Sequence, residues 1–195
     1  MAQQKKVRIL SLDGGGIRGI IPATIIQYAE AYLQKKRPGT TIADHFDFIA
    51  GTSTGGILTG IYLAPQKEDN TKAKFSATEA LKFYVDHGYD IFNASKISGL
   101  KRLWGLGSAV KFNPRNLENL LKEKLGDLKM SELMKPCLIT TYNMAQKSSF
   151  FFTSIEDTAK REFFVHDVLR STSAAPTYFP PAKIKNLATG PQKET

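Results

Sequence analysis

The sequence predicts an α/β fold: a largely parallel sheet covered by helices on both faces. Three observations lead there. Short apolar runs suited to buried strands alternate with stretches of helical periodicity, the pattern of βα units. Two strand-to-helix junctions are rich in glycine, Asp13-Gly14-Gly15-Gly16-Ile17-Arg18-Gly19 and Gly51-Thr52-Ser53-Thr54-Gly55. The chain has 195 residues, 42% hydrophobic and 23% charged, which suits one globular domain able to bury a core.

Each element has a local reason. Residues 7–12 alternate and begin with a β-branched residue, so they read as a buried strand that stops at the glycine cluster. The helix that follows carries Ile21, Ile25, Ala29 and Tyr32/Leu33 on one face, with Pro22 in its first turn, where proline does little harm. Residues 46–50 read as a second buried strand, turned into another helix by the Gly51–Gly55 segment. Residues 65–74 are polar and read as a loop, and Ser76-Ala77-Thr78-Glu79 is a capping-box signal for the next helix. Asn113-Pro114 opens a further helix that Gly126 ends. Residues 137–142 and 149–153 read as adjacent strands with Tyr142, Phe150, Phe151 and Phe152 in the core. Residues 165–170 read as a short helix and 184–187 as the start of a further strand.

The bulk properties bound the function. The formal charge of +9 favours polyanions, either nucleic acid or anionic lipid headgroups. No nucleic-acid-binding motif accompanies it, so nucleic acid is not expected as a partner. The apolar runs are shorter than the roughly 20 residues that span a bilayer, and the first residues are polar and basic with no secretory h-region. A lone Cys137 excludes an intrachain disulfide and suits a reducing compartment, so a cytoplasmic location is expected.

The chemistry lies in the two glycine-rich turns. Gly51-Thr52-Ser53-Thr54-Gly55 is a G-x-S-x-G pentapeptide between a strand and a helix. Such a turn projects its middle serine away from the sheet, and the flanking glycines let the chain double back. The first turn offers successive amide N–H groups at a helix start, donors of the kind an acyl-transfer enzyme aims at a tetrahedral oxyanion. Gly14-x-Gly16-x-x-Gly19 also matches a dinucleotide fingerprint. Against that reading, Asp13 would stand beside the pyrophosphate, and no acidic residue ends a strand about 20 positions on.

With these turns stands a third block, Arg170-Ser171-Thr172-Ser173-Ala174-Ala175-Pro176-Thr177-Tyr178-Phe179-Pro180-Pro181. The three together, in this order, resemble the patatin-like phospholipases, a family of lipid acyl hydrolases. The resemblance implies a three-layer α/β/α sandwich with a mostly parallel central sheet. The chain, 1–195, would be a single catalytic domain lacking its C-terminal part. It further implies cleavage of fatty-acyl esters of phospholipids or related lipids through an acyl-enzyme on Ser53. Gly14, Gly15, Gly16 and Arg18 would form the oxyanion hole, and the substrate would be lipid at a membrane or micelle surface. Neither a metal nor an organic cofactor is implied.

The family pairs its serine with an Asp from an Asp-Gly-Gly or Asp-Gly-Ala turn downstream of the third block. This sequence has no such turn after Ser53; its only Asp-Gly-Gly is Asp13-Gly14-Gly15. The expectation is a dyad Asp on a missing C-terminal segment. The alternative is an inactive patatin-fold module that binds lipid or a regulatory partner. Should a base lie within the chain, His166, Asp157 and Asp167 are the first candidates. Arg18 fits two roles equally: holding a substrate phosphate or bolstering the oxyanion loop, and serving as a structural salt bridge or loop anchor. Residues 96–112 mix Ile97, Leu100, Leu103, Trp104 and Leu106 with Lys96, Lys101, Arg102 and Lys111, which suits peripheral membrane contact. Three glycines argue against a regular helix there, and an irregular loop packed on the core is favoured.

Overall fold

The computed structural model describes residues 6–92, 112–155 and 160–188. In them β1 (Ile9–Leu12), β2 (Phe48–Thr52) and β3 (Cys137–Asn143) run parallel, and β4 (Ser148–Thr153) folds back antiparallel on β3. The sheet follows chain order, β1-β2-β3-β4. A 3-10 turn over Gly16–Gly19 leads into α1 (Ile20–Gln34), and the short α2 (Ile42–His45) precedes β2. Helices α3 (Thr54–Leu63), α4 (Ala77–Phe92) and α5 (Pro114–Leu125) lie between β2 and β3 in the chain, and α6 (Val165–Thr172) follows β4. The fold is therefore α/β with a mostly parallel sheet. No described helix is long and apolar enough to cross a membrane.

The core is organised around α3, whose ten residues are all buried. A helix apolar on every side belongs in an interior. It packs on β1, β2 and β3 and meets α4 and α6. The register places Leu12, Ile49, Ile139 and Phe152 on the sheet face toward it, all buried. The opposite face stays open among the described residues, with Ile9 63%, Tyr142 58% and Phe151 49% exposed.

The pattern of exposure corrects three expectations. The strand at 7–12 is not buried: Val7 and Ile9 face solvent, and the strand begins only at Ile9, where its pairing with β2 begins. Tyr142 and Phe151 are not core, because alternation along β3 and β4 sends them to the face opposite Ile139 and Phe152. The stripe of Ile21, Ile25 and Tyr32 on α1 is real but points to solvent; the buried side is Ala23, Ile26 and Glu30. Two boundaries also move. Strand β2 starts at Phe48, after α2 has taken Ile42–His45, and continues through Thr52 as its pairing with β3 does. Residues 184–187 join no strand; Leu187 N–H instead donates to the Glu162 carbonyl at 2.7 Å.

The caps behave as read. Ser76 N–H donates to Glu79 Oε2 at 2.8 Å and Glu79 N–H to Ser76 Oγ at 3.2 Å. Asn113 Oδ1 accepts from Arg115 N–H at 3.1 Å, and Gly126 closes α5 with φ 57°.

Less expected is Glu30, a carboxylate only 4% exposed. Its Oε2 accepts the Ile42 N–H and its Oε1 the Ala77 N–H, each at 2.7 Å, so one side chain caps the first residues of α2 and α4. A negative charge is favoured at both helix starts. Glu30→Ala orphans two buried amides and should cost roughly 3 kcal/mol, lowering Tm by on the order of 6–12 °C in a thermal melt. An unchanged Tm would show that neither cap contributes.

Candidate active site

Ser53 joins the last residue of β2 to the first of α3 with φ 54° and ψ −120°. A non-glycine residue reaches this region only at a cost of about 1–3 kcal/mol, and only where its surroundings over-determine it. Three hydrogen bonds do so here. The Ser53 carbonyl accepts from Ile57 N–H at 3.0 Å, its N–H donates to Thr172 Oγ1 at 2.8 Å, and Tyr84 Oη donates to the Thr54 carbonyl at 2.7 Å. Tyr84 is fully buried. Desolvation, then the nearby Tyr62, push its phenol pKa well above the usual value, so it stays a donor.

The two glycine turns meet at the carboxyl ends of β1 and β2, adjacent parallel strands. A Cβ on Gly55 would run into the Leu12 carbonyl, so the start of α3 lies directly against the end of β1. A Cβ on Gly14 would stand 2.9 Å from both Ser53 Cβ and the Thr52 carbonyl oxygen. Gly14, the first residue of the Gly14–Gly16 run, thus lies against the serine. The N–H groups of the run are committed to no backbone hydrogen bond among the described residues, and the first amides of α3 point the same partial positive charge at this corner. Arg18 donates to the Gly15 carbonyl from its own N–H at 3.2 Å and from Nε at 3.3 Å, which ties the loop down.

An aromatic group closes one flank. A Cβ on Gly16 would lie 3.9 Å from Phe92, whose ring is 5.9 Å from Phe112 and 6.3 Å from Phe179. Arg170 lies over Phe179 at 5.5 Å and pairs with Glu118 at 2.9 Å, which fastens the third block to α5. Of the stretch 96–112, only Phe112 falls within the described residues.

The candidate bases do not converge on Ser53. His166 stacks on Phe164, with Nδ1 3.1 Å from Asp167 Oδ1, at the first turn of α6. Thr172, which touches Ser53, ends that helix, and six residues of helix separate them by about 9 Å. Asp157 lies outside the described residues. His45 Nε2 is 3.0 Å from the Thr40 hydroxyl, and His87 packs on Phe83. Among the described residues no carboxylate or imidazole hydrogen-bonds Ser53 Oγ, and no cluster of His, Cys, Asp and Glu could hold a metal ion. The arrangement presents a serine on a strained elbow beside a run of glycine amides.

Comparison with known proteins settles what kind of chain carries it. The family model for patatin-like phospholipase matches residues 10–189, which takes in both glycine turns and the third block. The chain belongs to the patatin-like phospholipase family. It is 42% identical over 184 residues to Patatin-like protein 2 of Oryza sativa subsp. indica, covering 90% of this chain and 44% of that protein. It is 36% identical over 193 residues to Patatin-17 of Solanum cardiophyllum, covering 96% and 47%. Patatin-01 of Solanum tuberosum is also 36% identical, over 182 residues, covering 91% and 44%. The chain thus spans less than half the length of the curated relatives it matches.

Sequence reasoning missed Thr172 and Tyr84. The third block was legible as a block, yet nothing in one sequence says which of its hydroxyls reaches the patatin elbow. The packing gives a test that needs no substrate. Gly14→Ala forces a contact of 2.9 Å, whereas Gly15→Ala meets Arg18 Cβ at an ordinary 3.4 Å. Gly14→Ala should therefore lose about 1–3 kcal/mol in urea unfolding and Gly15→Ala clearly less. Equal losses would mean the loop does not press on Ser53.

Proposed function

We propose that this chain carries the nucleophile and oxyanion loop of a serine lipid acyl hydrolase acting on fatty-acyl esters of phospholipids or related lipids. The observation that supports it is the Ser53 elbow held against Gly14, at the start of the Gly14–Gly16 run, in a member of the patatin-like phospholipase family. In this reading Ser53 Oγ attacks the ester carbonyl as a base takes its proton. The tetrahedral oxyanion is stabilised by the Gly14, Gly15 and Gly16 N–H groups together with that of Thr54, the residue after the nucleophile. Collapse expels the alcohol, which takes up the proton. Water then attacks the acyl-enzyme by the same route in reverse and frees the fatty acid and Ser53. No step calls for a metal or an organic cofactor.

The base is proposed to be an Asp carboxylate on a C-terminal segment beyond this sequence, completing a Ser–Asp dyad. One observation favours a second reading, a lipid- or partner-binding module without turnover: no described base reaches Ser53 Oγ. A fluorophosphonate probe and an ester assay separate the two. Labelling of wild type but not of Ser53→Ala, with hydrolysis rising when the segment is supplied, supports the hydrolase. Undiminished hydrolysis by Ser53→Ala rules out this nucleophile, and labelling without hydrolysis in the extended chain favours the module.

The substrate is proposed to be met at a membrane or micelle surface, approached with the help of the +9 charge. Exposed charges are screened by salt. Vesicle co-sedimentation should therefore be stronger on anionic than on neutral phosphatidylcholine vesicles and weaken between about 50 and 500 mM salt. Binding indifferent to both would point to apolar docking alone.

A further inference from the structure

The ladder between β2 and β3 runs as far as the pair Thr52 and Thr140, and beyond it β2 turns away into the elbow. At this break the Ser53 N–H has no strand partner to follow Thr140. Thr172, the last residue of α6, fills the gap: its Oγ1 accepts the Ser53 N–H at 2.8 Å and donates to the Thr140 carbonyl at 2.6 Å. A hydroxyl can do both from one atom, because it carries one donor and two acceptor sites. The residue is 8% exposed, and its methyl is packed so closely that a Cβ on Gly56 would stand 2.9 Å from it. Further bonds hold the same corner. Thr52 and Thr140 hydroxyls lie 2.8 Å apart, and Thr141 Oγ1 donates to the Ser171 carbonyl at 3.2 Å.

We propose that Thr172 is a positioning residue for acyl transfer at Ser53, an inference that rests on the hydrolase reading above. Its hydroxyl fixes the peptide plane entering Ser53, from which the positive φ departs. Through that plane it sets the direction of Ser53 Oγ relative to the Gly14–Gly16 amides and to the Thr54 N–H that follows. Packing alone would be served as well by valine, which has the same shape and no hydroxyl. The third block thereby acquires a mechanical role, carrying the end of α6 into the break in the ladder and holding the elbow from behind.

The test compares Thr172→Val, Thr172→Ser and Ser53→Ala with wild type on the whole chain, folded fractions being set by circular dichroism. Two readouts are taken, amide hydrogen exchange at Ser53 and the fluorophosphonate labelling rate per folded molecule. Thr172→Val should speed exchange at the Ser53 amide at least about tenfold while sparing Ile57. It should lower labelling by about 10- to 100-fold, the scale of a misplacement near 1 Å, and Thr172→Ser should restore both to within about threefold of wild type. If valine does not fold, Thr172→Cys, with a weak thiol acceptor, is read in the same way. Wild-type exchange at Ser53 in the valine variant, or labelling within about twofold of wild type, overturns the proposal. Labelling of Ser53→Ala as fast as wild type overturns the nucleophile reading instead.

Discussion

Helix α3 starts directly against the end of β1, with no side chain between its first turn and the carbonyls of Leu12 and Asp13, because position 55 is glycine. This approach fixes the rest of the corner. With the helix so close to β1, the chain leaving β2 has a single residue in which to reverse, and that residue is Ser53 with its positive φ. The same closeness leaves room beside the serine for Gly14 and for nothing larger. Burial of all ten residues of α3 supplies the driving force, since strain of a few kcal/mol is small beside the area such a helix removes from water.

Burying a helix start also buries polar groups, and the surrounding helices answer for them. Tyr84 on α4 takes the Thr54 carbonyl, and Thr172 on α6 takes the Ser53 amide. Glu30 on α1 answers for the starts of α2 and α4 in the same way. Each of these side chains comes from an element distant in sequence from the group it satisfies. Tertiary contacts, more than helix propensity, therefore keep the elbow in one conformation.

How much of this could be read beforehand followed the range of the forces. The α/β class, the parallel pairing of the first strands and the caps at Ser76 and Asn113 were legible, because periodicity and capping act within a few residues. So was the elbow itself, since a G-x-S-x-G segment between a strand and a helix leaves few other conformations. Which face of an element is buried was less legible. Ile21, Ile25 and Tyr32 make a good helical stripe, yet Glu30 at a polar-looking position is the buried one because two amides converge on it. Phe151 sits between two aromatic neighbours in sequence, and alternation on β4 alone turns it outward. Thr172 was illegible, since its role depends on a strand partner 32 residues away and an amide 119 residues away.

One buried group takes no part in this chemistry. Cys137 opens β3 with its side chain fully buried, and desolvation pushes its thiol pKa up to about 11. At neutral pH its thiolate is scarce, and the sulfur is shielded on the sheet face that packs toward α3, the side it shares with Ile49 and Ile139. The sulfur is therefore a clock for opening of the core over the sheet. Its rate of modification measures how often the packing over β3 opens, in the very strand whose Thr140 carbonyl anchors Thr172.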